Sequence, residues 1–151
     1  MTTITPCLWF DDDLEDALDL YSSVFPDTKV LGVNRTPDGK VFTADFVLAG
    51  QPLKGLNGGP HFRFSEAISL FVTVDGQDEV DRCWEALTAN GGQESQCGWL
   101  KDRFGLSWQI VPQEFLDMVS GGDAEQVQRV LAAMQTMGKM DVAALRAAYD
   151  G

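Results

Sequence analysis

The chain has 151 residues, of which 44% are hydrophobic, and a formal net charge of −12. A chain of this length and apolar content can bury one compact core and is too short for two large domains. Its 11 lysines and arginines are scattered along an acidic sequence, whereas nucleic acids and anionic membranes attract clustered basic residues. We therefore expect neither nucleic acid nor a membrane as a partner.

The N-terminal segment and the cysteines indicate a compartment. MTTITPCLWF has no basic start and no long apolar run, and no segment approaches the roughly 20 apolar residues of a membrane span. The cysteines Cys7, Cys83 and Cys97 are odd in number and widely spaced, which argues against a disulfide framework or a zinc site. We expect a cytoplasmic protein with reduced thiols.

The first half of the sequence predicts the order β-α-β-β-β. The expected elements are a strand at 4–10, a helix at 13–25 and strands at 31–35, 41–48 and 51–57. The helix is predicted from apolar residues at helical spacing, which are Leu14, Ala17, Leu18, Tyr21, Val24 and Phe25. Pro26 ends this helix, and turns containing Gly or Pro separate the strands.

The same order restarts after the segment LNGGPHFRF, which is rich in Gly and Pro. The second series comprises a strand at 67–74, a helix at 78–87, a short strand, a strand at 97–101 and a last strand at 106–111. From Gln113 onward the pattern is helical, with Asp123 and Asp141 as caps. One tail helix carries an apolar stripe that needs cover, formed by Val127, Val130, Leu131, Met134 and Met137.

Together these elements predict an α+β fold with internal duplication. Two βαβββ modules, about 1–60 and about 61–112, form one domain at 1–112, and a helical extension of the same domain follows at 113–151. Helices on one face of each sheet leave the opposite faces free, so that two adjacent modules can curl those faces into a shared cup.

Alternation with period two divides each strand between the helix-packed face and the cup. The residues expected to pack under the helices are Leu8, Phe10, Phe42, Ala44, Phe46, Leu48, Leu106, Trp108 and Ile110. Those expected in the cup are Thr5, Cys7, Trp9, Thr43, Asp45, Ser69, Phe71, Thr73, Cys97, Trp99, Lys101, Ser107, Gln109 and Val111. A mixed aromatic and polar lining is typical of small-molecule pockets.

Four of the candidate residues have two interpretations each. His61, the only histidine, lies in the loop between the modules, either as part of a turn or as a ligand contact at the rim. Trp9 belongs to the cup or to the core, because a slip of one residue inverts both faces of a strand. Asp45 is either ion-paired or bound to a ligand, since a lone buried carboxylate is costly. Gln109 either makes a structural hydrogen bond or contacts the ligand.

Five segments resemble the PhnB-like proteins, which are often labelled 3-demethylubiquinone-9 3-methyltransferase-like. These segments are ITPCLWFDD, DLYSSVFPD, LNGGPHFRFSEAISL, CGWLKDRFGLSWQIVP and QRVLAAMQTMGKMDVAAL. The resemblance implies the fold of the vicinal oxygen chelate superfamily, which includes glyoxalase, bleomycin-resistance protein and extradiol dioxygenase. It lends little support to methyl transfer, because no G-x-G-x-x-G loop of a Rossmann-type site follows a predicted strand.

The resemblance also implies where a metal ion would bind. The metal enzymes of this superfamily carry His, Glu or Gln ligands on the first, fourth, fifth and eighth strands. The matching positions here are Thr5 or Pro6, the neighbourhood of Asn57, Ser69 and Gln109. Hydroxyls and amides do not form a tight divalent site without anionic or imidazole ligands, so we expect no metal and no cofactor.

Three functions fit these observations: a metal-free protein that binds an aromatic or amphipathic small molecule, a metal-independent enzyme with Asp45 or His61 as acid or base, and an assembly module. We favour binding, because catalysis also requires a tuned ionisable group beside a reacting atom. The expected ligand-binding residues are Trp9, Asp45, Asn57, His61, Ser69, Trp99 and Gln109. We also expect a homodimer, because related domains commonly pair and the methionine-containing stripe needs cover.

Overall fold

The computed structural model describes all residues, 1–151, and the chain divides into two compact units, Met1–Phe64 and Ser65–Gly151. Each unit contains one four-stranded sheet. In both sheets the first strand pairs with the fourth, the fourth with the third and the third with the second. The predicted α+β fold of two βαβββ modules with C-terminal helices is therefore confirmed.

The elements of the first unit are β1 (Cys7–Phe10), α1 (Leu14–Val24), β2 (Lys29–Arg35), β3 (Val41–Leu48) and β4 (Gln51–Asn57). β1 runs parallel to β4, whereas the β3–β4 and β2–β3 pairs are antiparallel. All six side chains of the predicted helical stripe are buried. Glu15 and Asp16 lie in the first turn of α1, where negative charge complements the helix dipole.

The first strand is shorter than predicted but has the predicted register. It begins at Cys7, after Pro6, whose nitrogen has no hydrogen to donate to a sheet. Leu8 and Phe10 are buried, and Trp9 between them is half-buried. The side of β1 that packs under the helix is therefore the side that alternation predicted.

The alternation predicted for β3 is wrong at Phe42. This side chain was expected under the helix and is 48% exposed, whereas Val41 is buried. The register with β2 shifts here, because Asn34 pairs with Thr43 while the next residue pairs with Val41. The extra residue in β3 forms a bulge, and a bulge reverses the alternation beyond it.

The elements of the second unit are β5 (Leu70–Val74), α2 (Gly76–Thr88), a 3-10 turn (Ala89–Gly91), β6 (Gln93–Glu94), β7 (Trp99–Lys101), β8 (Ser107–Pro112), α3 (Gln113–Gly121), α4 (Ala124–Gln135) and α5 (Val142–Asp150). The residues of α2 and β8 predicted to pack together are buried, and they are Val80, Cys83, Trp84, Leu87, Trp108 and Ile110. None of the helices combines the length and the apolar content that crossing a membrane requires.

Two residues of β8 differ from the expectation that they line an open face. Ser107 is 0% exposed and Val111 is 2% exposed, whereas Gln109 between them is half-buried. Val111 belongs to a buried cluster with residues of the C-terminal helices, including Met118 and Val130. The tail therefore covers the Val111 end of the β8 face that also carries Gln109.

The C-terminal tail packs on its own unit. Leu131, Met134 and Met137 of the predicted stripe pack against the cluster around Val130. Gln77 of α2 fastens the tail, since its Nε2 donates to the Met140 carbonyl at 3.0 Å and its Oε1 accepts from the Val142 amide at 2.7 Å. The stripe thus needs no second chain for cover.

The tail also touches the loop before β7. The Cys97 amide donates to the Met137 carbonyl at 2.7 Å, and the Gly98 amide donates to the Gly138 carbonyl at 2.8 Å. Asp123 and Asp141 cap α4 and α5, as predicted. Backbone hydrogen bonds therefore connect the tail directly to the sheet of the second unit.

Candidate functional site

The residues predicted to bind a ligand lie in both units. The first unit contains Trp9, Asp45, Asn57 and His61, and the second contains Ser69, Trp99 and Gln109. Convergence of the two sets on a shared cup stays a prediction. The surroundings of each residue within its own unit show which side chains are free to meet a ligand.

Trp9 packs against the segment that follows β4. Its Nε1 donates to the Gly59 carbonyl at 2.9 Å, and its ring meets Phe62 edge to face with the centroids 4.9 Å apart. The side chain is half-buried, on the face of the sheet opposite α1. Trp9 therefore has both a structural role and an aromatic surface that is partly open.

Asn57 has a structural role. Its Oδ1 accepts a hydrogen bond from the Leu14 amide at 3.0 Å, and its Nδ2 donates to the Val41 carbonyl at 3.0 Å. The first interaction satisfies one of the free amides at the start of α1. Asn57 thus joins the start of the helix to β4 and β3, and both ends of its amide are engaged.

Asp45 and His61, the two candidates for an acid or base, are open to solvent. Asp45 forms an ion pair with Lys54, its register partner on β4, and the two side chains are 47% and 54% exposed. The hydrogen bond with Asp45 raises the pKa of Lys54. His61 is exposed in the turn after β4. Neither side chain is shielded from water in the way that the acids and bases of active sites often are.

Ser69, Trp99 and Gln109 come together on the second sheet. Gln109 lies between Trp99 on β7 and Phe71 on β5 in the register of the strands. Its Nε2 donates to the Ser69 hydroxyl at 2.9 Å. Phe71 is 53% exposed, so an aromatic ring stands free on this side of the sheet.

Two further residues of this sheet were not among the predicted ligand-binding residues. Lys101 and Ser107 are register partners on β7 and β8, two pairs along from Trp99 and Gln109. We call the surface formed by Phe71, Trp99, Lys101, Ser107 and Gln109 the second-sheet face. Alternation assigns all five residues to one side of the sheet, and the polar serine between the buried Leu106 and Trp108 is the sequence feature that could have identified Ser107.

Three open depressions lie beside candidate residues. One of about 470 Å³ adjoins the second-sheet face and is lined by Glu66, Cys97, Trp99, Lys101 and Ser107, among others. In the first unit, a depression of about 340 Å³ adjoins Asp45, and one of about 770 Å³ adjoins Asn57. All three have sizes typical of small-molecule sites, and each has an aromatic residue in its lining, which is Trp99 in the first.

The residues present do not fit the divalent metal ion that the superfamily resemblance implies. No three His, Cys, Asp or Glu side chains are grouped so that they could hold a metal. Ser69 and Gln109 hydrogen-bond to each other, and the amide of Asn57 is engaged by the backbone. Neutral hydroxyl and amide groups of this kind are weak ligands when no anionic or imidazole group accompanies them.

Comparison with known proteins identifies similar sequences and folds. Residues 2–111 match the family model described as 3-demethylubiquinone-9 3-methyltransferase. A putative 3-demethylubiquinone-9 3-methyltransferase, PhnB protein, from Bacillus cereus is 28% identical with a TM-score of 0.68, over 74% of this chain and 99% of that one. Comparison with curated proteins gives no match.

Two more distant structures show the same fold. Protein PA1353 from Pseudomonas aeruginosa is 19% identical with a TM-score of 0.60, over 74% of this chain and 98% of that one. The E126Q mutant of the fosfomycin resistance protein FosX from Listeria monocytogenes, complexed with Mn(II), is 13% identical with a TM-score of 0.56, over 74% of this chain and 92% of that one. The family match ends at Val111, so the tail helices lie outside it.

Proposed function

We propose that this chain, which belongs to the 3-demethylubiquinone-9 3-methyltransferase family of PhnB-like proteins, binds a small aromatic or amphipathic molecule without a metal ion. The observation that carries the proposal is the second-sheet face. It combines an exposed ring at Phe71, a half-buried ring at Trp99 and an amide at Gln109 that Ser69 orients. Apolar surface with a few placed polar groups is the usual composition of a ligand site.

The chemistry of the side chains supports binding without a metal. The positions that correspond to superfamily metal ligands carry no anionic or imidazole group, and the side chains of Ser69, Gln109 and Asn57 already have protein partners. The FosX structure contains Mn(II), but its 13% identity to this chain supports the common fold alone. The Mn(II) of FosX is therefore no argument that this chain needs a metal ion.

The methyltransferase label of the family has little physical support in this chain. The connection from β1 to α1 is Asp11-Asp12-Asp13, a run of negative charge without glycine. A Rossmann-type nucleotide site needs a glycine-rich loop between a strand and a helix, so that the backbone can approach the ligand closely. We therefore propose binding rather than methyl transfer.

A panel of aromatic acids, quinones and amphipathic molecules tests the proposed function in buffer containing EDTA. We expect at least one compound to raise the midpoint of thermal unfolding and to change tryptophan fluorescence, because a ligand of the folded state stabilises it. Gln109→Ala should weaken the binding of that compound about tenfold, through loss of a hydrogen bond and of the contact with Ser69.

Gln128→Ala is the matched control, because Gln128 lies exposed on α4 and does not line the depression beside the second-sheet face. It should leave the affinity unchanged. Binding that requires added Mn(II) or Zn(II) and disappears in Gln109→Ala would contradict the metal-free proposal. A panel in which no compound binds would contradict the binding function itself.

We also propose that the chain forms a homodimer, for which the edge strand β2 offers a surface. All seven residues of β2 are exposed, and three of them, Val30, Leu31 and Val33, are apolar. Exposed edges of this kind pair readily with another chain. The covered stripe of the tail no longer supports the dimer.

Light scattering at micromolar concentration should give a mass of about 33 kDa, twice the 16.5 kDa of one chain. Leu31→Lys should shift the mass toward the monomer, because a charge on the edge strand opposes pairing. Ile4→Lys, at an exposed residue outside the strand, should not. A monomeric mass for the unaltered chain would reject the dimer.

We propose a cytoplasmic location, and the state of the cysteines supports it. Cys7, Cys83 and Cys97 are all free thiols. Burial raises the pKa of the Cys83 thiol, which keeps it protonated and unreactive. A set of unpaired thiols of this kind suits a reducing compartment.

A further inference from the structure

Ser107 has a buried hydroxyl without a protein partner. The residue is 0% exposed, and its Oγ accepts and donates no hydrogen bond within the structure. Burial of an unpaired hydroxyl is unfavourable, and nearly all buried polar groups in proteins have a partner. Ser107 also lines the depression of about 470 Å³ beside the second-sheet face, so a molecule bound there can supply that partner once the side chains that cover the hydroxyl move aside.

Lys101 places a positive charge beside this hydroxyl. Lys101 and Ser107 are directly opposed on β7 and β8, and opposed side chains start about 5 Å apart. The side chain of Lys101 is 34% exposed, and both Lys101 and Ser107 line the depression. Two hydrogen-bond donors, one of them charged, can therefore meet a single anionic group.

Glu66 holds the ammonium of Lys101 in the absence of such a group. The two side chains form an ion pair, and the hydrogen bond with Lys101 lowers the pKa of Glu66. Glu66 is 62% exposed, and an exposed ion pair contributes little to stability because water solvates both charges well. Another carboxylate can therefore replace Glu66 on Lys101 at small cost.

Trp99 supplies the aromatic part of the same surface. Trp99 and Lys101 lie two residues apart on β7, so their side chains leave the same face about 7 Å apart. An aromatic ring, its carboxylate and a hydrogen bond from an ammonium to that carboxylate can together span this spacing. Both side chains line the depression that contains Ser107.

We infer that the second-sheet face binds an aromatic carboxylate, with its anionic group on Lys101 and Ser107 and its ring against Trp99. This inference rests on the proposed function and names the ligand class for it. The net charge of −12 repels anions in general. The attraction that binds a carboxylate here must therefore come from the local contacts with Lys101 and Ser107. Glu66 acts as an internal competitor for the same ammonium.

Calorimetric titration with 2-naphthoate, and with its neutral analogue 2-naphthamide, tests the inference on the full chain. We expect naphthoate to bind at least tenfold more tightly than the amide, because only the carboxylate can pair with Lys101. Lys101→Met should remove this preference. Glu66→Gln should increase naphthoate affinity severalfold, since the competing charge is lost.

Ser107→Ala separates the ligand role of the hydroxyl from a structural one. It should lower naphthoate affinity about tenfold while leaving the thermal midpoint of the free protein unchanged or higher, because no protein hydrogen bond is lost. A clear drop in that midpoint would show a structural partner for the hydroxyl and overturn the inference.

Lys139→Met is the matched control for Lys101→Met, because Lys139 is an ion-paired lysine of the same unit, bound to Asp81 at 2.8 Å. It should leave naphthoate binding unchanged. Naphthoate binding that survives both Lys101→Met and Ser107→Ala would overturn this subsite and leave the proposed binding function standing. Failure of every compound in the wider panel would instead remove the proposed function.

Discussion

Replacing Asp102 with alanine should destabilise the second unit by about 4 kcal/mol, because it leaves three donors without their acceptor. Asp102 is 2% exposed. Its Oδ1 accepts from the Phe104 amide at 2.9 Å and the Leu106 amide at 3.1 Å, and its Oδ2 accepts from Trp108 Nε1 at 2.9 Å. One carboxylate therefore shapes the turn before β8 and orients the largest buried side chain of the unit.

Urea unfolding followed by near-ultraviolet circular dichroism measures this loss. Asp102→Asn should also destabilise the unit substantially, since an amide nitrogen cannot accept the hydrogen bonds that a carboxylate oxygen accepts. Asp27→Ala, at an exposed residue, is the control and should change stability by less than about 0.5 kcal/mol. A loss below about 1 kcal/mol in Asp102→Ala would contradict the assigned role.

Gly58→Ala should destabilise the first unit by about 3 kcal/mol, because the new methyl group has no space. A Cβ at Gly58 would lie 2.3 Å from Cζ2 and 2.4 Å from Cε2 of Trp9. The backbone at Gly58 is held by its amide, which donates to the Phe10 carbonyl at 2.9 Å. The indole ring must therefore move and lose its hydrogen bond to Gly59.

Fluorine NMR of protein labelled with 5-fluorotryptophan reports on this movement, with the Trp9 resonance assigned from Trp9→Phe. Gly58→Ala should shift that resonance and lower the thermal midpoint together. Gly32→Ala is the control, because a Cβ there meets no heavy atom within 4 Å. An unchanged resonance and an unchanged midpoint in Gly58→Ala would contradict this prediction, because they would mean that the backbone after β4 shifts to make space for the methyl group.

The helices were predictable because their signal is local. Apolar residues at helical spacing identified the buried faces of α1 and α2 correctly. Strand faces depend on pairing with distant residues, and the error at Phe42 shows this dependence. The bulge that exposes Phe42 arises from the register of β3 with β2, which no alternation within β3 can reveal.

The candidate site was predictable to a similar extent. Alternation brought Trp99 and Gln109 to one side of the second sheet, where the structure pairs them. The partner of Asp45 could also have been predicted, since Lys54 lies opposite it in a hairpin that turns at Ala49-Gly50. The engagement of Asn57 by α1 depends on how the helix packs, and sequence patterns alone do not contain that information.

The backbone bonds that join Cys97 and Gly98 to the tail have a thermodynamic consequence for any molecule bound beside Trp99. Cys97 and Trp99 both line the depression, so the tail supports one of its walls. Suppose that a ligand binds more tightly when the tail is docked on the sheet. By reciprocal linkage, the bound ligand then favours docking of the tail by the same factor by which the docked tail increases the affinity for the ligand. The C-terminal helices, although outside the family match, are then coupled energetically to occupancy of the sheet.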